Sequence, residues 1–209
     1  MIGECGHQLR SISPGEMNLI FRARLIWRNL ATWLLIYLGG LYGNYGNQQE
    51  IREQIYSIPA DYVNVMKMVF GEKLAENYST LLTVYVANLV TFLEAMRNGD
   101  QEDIDAHIIR LRDSIDKRAA FLGQINPYWE ESTWRMLLHG ANNLLIEMAL
   151  TYTQKEYKKN IEVYSRLLDH TNVIGDYFSQ GIINYLILDK DSIRPGASPV
   201  DRITAAPFR

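Results

Sequence analysis

The side chains best spaced for chemistry in this chain are His139, Asn142, Asn143 and Glu147. Positions 139, 143 and 147 are four apart, so on a helix an imidazole, an amide and a carboxylate fall close to one face. Such a set could hold a small polar ligand or move a proton. A metal is a poorer fit, because one histidine and one carboxylate make a site only if other helices contribute ligands. Tyr85, Asn88 and Thr91 offer a partial counterpart, and if both faces turn inward a polar pocket forms between them. The simpler alternative is that these amides and the imidazole hydrogen-bond inside a helical core and fix its register.

The other titratable groups carry less. Asp103 and His107 are helical neighbours in a strongly charged stretch and read as a surface ion pair. Asp169 and His170 are adjacent and face different directions. The four histidines, His7, His107, His139 and His170, are scattered, no HExxH occurs, and no metal ligands or catalytic residues are assigned. Cys5 is the only cysteine, which excludes an intrachain disulfide and a multi-cysteine zinc site and favours a reducing, cytoplasmic setting. No glycine-rich phosphate loop follows a strand, since no strand is evident.

A net charge of -3 gives no general attraction to nucleic acid. Arg110, Arg112, Lys117 and Arg118 alternate with Asp105, Asp113 and Asp116, the pattern of a solvated helix face. Aromatic residues such as Trp27, Trp33, Tyr78, Trp129 and Trp134 could line a pocket for a flat ligand, and at helical spacing they also serve as core filler.

The elements that must position these residues are helices. Residues 1–16 carry no helical period and read as a flexible arm, residues 17–188 as the bundle, and residues 189–209, with three prolines, as an exposed tail. The first helix starts at Met17, is weakened at Gly39 and Gly40, and ends at Gly43 to Gly46. Its stretch 30–42 is uncharged for 13 residues, against the roughly 20 a membrane span needs, so a buried core helix is favoured over a membrane-associated one. A second helix begins at an Asn47 cap and is broken or kinked at Pro59, where Ser57 would cap a new helix to Val69. Further helices are expected over about 72–97, 101–125 with Asp100 as cap, 130–153, and 155–186 with Ile161, Tyr164, Leu168, Tyr177, Phe178 and Ile182 on its buried side.

One helix ending recurs. Tyr62-x-x-x-Met66 before Phe70-Gly71, Phe121-x-x-x-Ile125 before Pro127-Tyr128, and Phe178-x-x-x-Ile182 before Tyr185 lie 59 and 57 residues apart. A shift of 57 also places Ile104 on Ile161, Leu111 on Leu168 and Phe121 on Phe178. The expected fold is therefore all-α, an antiparallel bundle of about six helices built from three αα-hairpin repeats.

Ile58-Pro59-x-Asp61-Tyr62 leading to Phe70-Gly71, then Ile125-Asn126-Pro127-Tyr128, and Asp176-Tyr177-Phe178-Ser179-Gln180-Gly181-Ile182 resemble a family of uncharacterised small helical proteins of Gram-positive bacteria. The resemblance spans about residues 17–186 and implies that both ends are additions. It also implies a histidine early in each odd-numbered helix, as would suit a shared metal or ligand site. Here those places hold Leu30, Tyr85 and either His139 or Gly140, so most of that polar set is missing and the family's function does not carry over.

The function expected from the sequence is a non-enzymatic interaction or scaffold protein, binding a protein partner or a second copy of itself and no nucleic acid. Two alternatives stand beside it. One is a small-ligand or metal-binding bundle, with or without catalysis, using His139, Asn142, Asn143, Glu147, Tyr85 and Asn88, with no cofactor named; the other is a membrane-associated protein anchored by its first helix.

Overall fold

The computed structural model describes residues 12–188. They form six helices, α1 (Pro14–Gly43), α2 (Gln48–Phe70), α3 (Glu72–Asn98), α4 (Gln101–Ile125), α5 (Glu131–Thr153) and α6 (Tyr157–Leu188), with no strand among the described residues. The expected tail at 189–209 and most of the expected arm lie outside the described residues.

The first helix starts three residues before Met17, because Ser13 and Glu16 make a reciprocal capping box. Ser13 Oγ accepts from the Glu16 amide at 3.2 Å, Glu16 Oε2 accepts from the Ser13 amide at 2.8 Å, and Pro14 fills the first helical position. Gly39 and Gly40 do not interrupt α1. A Cβ on Gly40 would lie 1.6 Å from Gln48 Nε2, so that glycine admits the start of α2 against the end of α1.

The expected break in α2 is not there. The helix runs through Pro59 without interruption, Asn47 makes no side-chain cap, and Ser57 donates to the Gln54 carbonyl instead of capping a new helix. Proline costs the helix one backbone hydrogen bond, and Ile55, Ile58, Pro59 and Tyr62 offset that loss by burying the whole inner face at this point. Between α2 and α3 the chain turns on one residue, Gly71, at φ 85°, where a side chain would be strained.

Each helix packs against its neighbours in the chain, and α6 returns to close on α1. That closing contact is the most extensive in the molecule, while the α1–α2 contact is the smallest between consecutive helices. The three expected hairpins, α1–α2, α3–α4 and α5–α6, thus pack as one antiparallel bundle, with contacts between hairpins as extensive as those within them. The repeats form a closed six-helix ring in which α1, α3 and α5 also touch one another across the middle. Inside it, Trp27 stacks on Trp134 at 5.8 Å and meets Tyr62 edge-on at 5.2 Å, and Trp129 stacks on Phe178 at 5.2 Å.

One face differs in part from expectation. On α6 Phe178 and Ile182 are buried as expected, but in the first half of the helix the buried line is Val163 and Leu167, with Ile161 exposed, one position out of the predicted phase. On α1 Ile36 faces solvent while Tyr37 is fully buried. Among the described residues the helix long and apolar enough to cross a membrane is α3, with half of its apolar stretch buried in the bundle, and not α1.

Candidate functional site

The expected cluster on α5 separates in space. His139 turns to α4, where its Nε2 lies 2.9 Å from Asp116 Oδ1, and Arg135 Nη1 reaches the same oxygen at 2.5 Å. Glu147 pairs with Arg166 on α6 at 3.2 Å, and Asn143 is exposed in the shallow groove between α5 and α6. Only Asn142 points into the core, where Tyr85 donates to its Oδ1 at 3.2 Å. The cause is helical drift: residues four apart turn by about 40° each step, so eight positions accumulate about 80° and neighbouring helices claim different members. Asn88 leaves the set too, donating to Ser114 on α4 at 3.3 Å. Among the described residues no group of three or more histidines, cysteines and carboxylates could hold a metal.

His107 is a second correction. The expected pair with Asp103 is present, Nε2 lying 3.6 Å from its carboxylate, but His107 itself is buried, and its Nδ1, 3.4 Å from Thr91 Oγ1, joins α4 to α3.

Arg118 is the third correction, and it defines the site. It is only 2% exposed, not on a solvated face. Its signal was in the sequence, since it lies seven after Leu111, three after Ile115 and four before Leu122, all buried. The guanidinium lies 4.7 Å from the Tyr85 ring centre, 5.8 Å from Tyr78 and 5.9 Å from Trp27. Nη2 donates to Tyr78 Oη at 3.1 Å, Nε is buried without an acceptor, and among the described residues no carboxylate pairs with it. Burial works against its charge and Tyr78 and Tyr85 favour it, with the balance lying above the ordinary arginine value, so it stays a cation at any working pH.

Arg118 lines a partly open cavity of about 40 Å³ to which all six helices contribute, with Trp27, Tyr62, Tyr85, Arg118, Leu138 and Thr171 as one member from each. A single water needs about 10–15 Å³ on this measure, so there is room for a few waters or one small ligand. The Trp27 indole Nε1 is a second buried donor without an acceptor. Burial pushes the Tyr85 phenol up to about 12 and holds the Tyr62 phenol well above its usual value, so neither exchanges protons near neutrality.

A smaller polar knot sits at the end of the ring where α1 and α3 finish and α2 begins. The fully buried Tyr37 donates to Glu94 Oε1 at 2.7 Å and accepts from Arg52 Nη2 at 3.1 Å, and Arg52 also pairs with Glu94. Unlike Arg118, this arginine has its carboxylate.

No protein-family model, no curated protein and no solved structure matches this chain.

Proposed function

We propose that the protein is a non-catalytic small-ligand-binding bundle whose ligand seat is the cavity lined by all six helices. The observation that carries this reading is the cavity's lining: an uncompensated Arg118 within an aromatic cage, in a cavity to which every described helix contributes. Large helical cores are normally filled to the density of organic crystals, so a void holding a cation with an unspent donor is costly unless something occupies it. Among the described residues no histidine, carboxylate or cysteine lines the cavity, and its phenols are held protonated, which favours binding over acid–base or nucleophilic catalysis. The single cysteine supports a reducing, cytoplasmic compartment.

A thermal-shift screen of small neutral and charged molecules tests this reading on the wild type and on Ala31→Leu, which fills the cavity from α1. Ligands that seat inside raise the melting temperature of the wild type and leave the variant unmoved. Equal responses in the two proteins, or none in the wild type, defeat the proposal.

A second reading, a partner-binding or self-associating protein, is supported by Met17, Phe21 and Leu25. They lie four apart on α1 and remain 46%, 52% and 58% exposed, a stripe of apolar surface at helical spacing. A monomeric mass by light scattering at high concentration that is unchanged by Phe21→Glu counts against self-association.

A further inference from the structure

We propose that the occupant of the central cavity is a compact monoanion, such as formate, nitrate, bicarbonate or chloride, seated between the Arg118 guanidinium and the Trp27 indole. This rests on the ligand-seat reading above and names the class of ligand. Three observations converge on it: the charge, the hydrogen-bonding inventory and the size.

The charge comes first. A cation removed from water needs an anion or a ring of oriented acceptors to replace its hydration. Arg24 has Asp176, Arg52 has Glu94 and Arg135 has Asp116 and Glu131, all at partly exposed positions. Arg118, the most buried of these, has only a phenol oxygen and three aromatic faces. Aromatic faces stabilise a cation and do not cancel its charge.

The hydrogen-bonding inventory points the same way. Arg118 Nε and Trp27 Nε1 are both buried donors with no acceptor among the described residues, and both residues line this one cavity. The hydroxyls around it are already spent as donors: Tyr62 on the Ile26 carbonyl at 3.4 Å, Tyr85 on Asn142 at 3.2 Å, Thr171 on the Leu168 carbonyl at 2.8 Å. What remains is a positive charge and unspent N–H groups, those of Arg118 Nε and Trp27 Nε1 among them, against largely apolar walls. The complement of such a site is an acceptor that carries negative charge and needs to donate nothing.

Size then selects within that class. A cavity of about 40 Å³ excludes fatty acids, nucleotides and sugar phosphates, and admits an ion of one to about four heavy atoms. Water would satisfy the donors and leave the charge.

The test is thermal unfolding of the full chain in sodium gluconate, whose anion is too large for the cavity, with gluconate replaced stepwise by formate, nitrate, bicarbonate or chloride at constant ionic strength. The wild-type melting temperature should climb by several degrees as the small anion goes from about 1 to about 100 mM, because only the folded state binds it. Arg118→Met should lose the response while unfolding in gluconate at or above the wild-type temperature, since a hydrophobe of similar length replaces an uncompensated charge. Trp27→Phe keeps the charge and removes one donor, and should need about tenfold more anion for the same shift. It keeps the proposal testable should the methionine variant fail to fold.

Identical wild-type melting in gluconate and in all four small anions means that water alone fills the cavity and overturns the proposal. So does an undiminished response in Arg118→Met. If neutral molecules shift the wild type but not Ala31→Leu while anions do nothing, the ligand seat stands and its anionic character falls. If no probe of either kind acts, both fall together.

Discussion

Tyr85 donates its phenol hydrogen to Asn142 Oδ1 at 3.2 Å, and the two residues are 57 positions apart, the length of the sequence repeat. Tyr37 and Glu94 stand in the same relation, 57 apart and joined at 2.7 Å. Both pairs link successive odd-numbered helices, α1 to α3 and α3 to α5. A repeat whose equivalent positions meet is one arranged about an axis, and these pairs show that the axis runs between α1, α3 and α5. The central cavity is lined by Tyr85 of α3, by Leu138, Ala141 and Leu145 of α5, and by Trp27 of α1.

The Tyr85–Asn142 pair is buried, so breaking it from either side strands a polar atom away from water. Tyr85→Phe and Asn142→Leu should each cost about 1–2 kcal/mol in urea unfolding, and the double variant should cost less than their sum by about 1 kcal/mol. Strict additivity would mean that the bond contributes nothing to stability.

Stability should fall steeply in alkali. Burial raises the Tyr37 and Tyr85 phenols from 10.0 to about 12, with Glu94 adding to the effect at Tyr37. The folded state therefore holds these protons more tightly than the unfolded chain does. Their contribution is complete below about pH 10 and is lost as pH rises through about 12, by about 2–3 kcal/mol for each phenol. Unfolding followed with tyrosinate absorbance should show this alkaline limb, and Tyr37→Phe or Tyr85→Phe should each make it shallower by about one proton.

His139→Ala combined with Glu147→Ala should leave every response of the cavity to ligands intact. Both side chains are engaged on the outside of the ring, with Asp116 and Arg166, and each is about a third exposed. Loss of their ion pairs should cost less than about 1 kcal/mol apiece in chemical denaturation. Abolition of the ligand-induced thermal shift by this pair of changes would return the site to the outer face of α5.

The sequence made the helices legible because their apolar residues recur at helical spacing and their ends carry strong caps, as at Asp100 and Gly99. It did not reveal that α2 continues through Pro59, because the burial of Ile55, Ile58 and Tyr62 that holds the helix there belongs to the tertiary packing. The candidate site was half legible. Tyr85 and Asn142 do meet in the core, but spacing by four made His139, Asn143 and Glu147 the centre of the expected set, and His139 and Glu147 are drawn outward by other helices. Arg118 was hidden by its neighbours Asp116 and Lys117, whose charges set the apparent character of the segment, although its own phase matches Leu111, Ile115 and Leu122. Phase is better evidence of burial than local charge.

Closure of the ring depends on how closely α6 approaches α1, and Gly175 sets that distance. A Cβ there would lie 2.7 Å from both the backbone nitrogen and the Cα of Arg24, and neither atom can swing away as a side chain could. The bidentate pair between Arg24 and Asp176, at 2.6 and 2.7 Å, sits beside this contact and needs the same approach. Alanine in an exposed helix interior normally adds about 1 kcal/mol over glycine. At this position the sign should reverse: Gly175→Ala should destabilise by about 1–3 kcal/mol, because the helices must part and the packing on both sides of the crossing loosens. Gly175→Ala with Asp176→Asn should then cost little more than Gly175→Ala alone, since the ion pair is already displaced. Full additivity in urea unfolding would show that the ring closes without relying on this close approach.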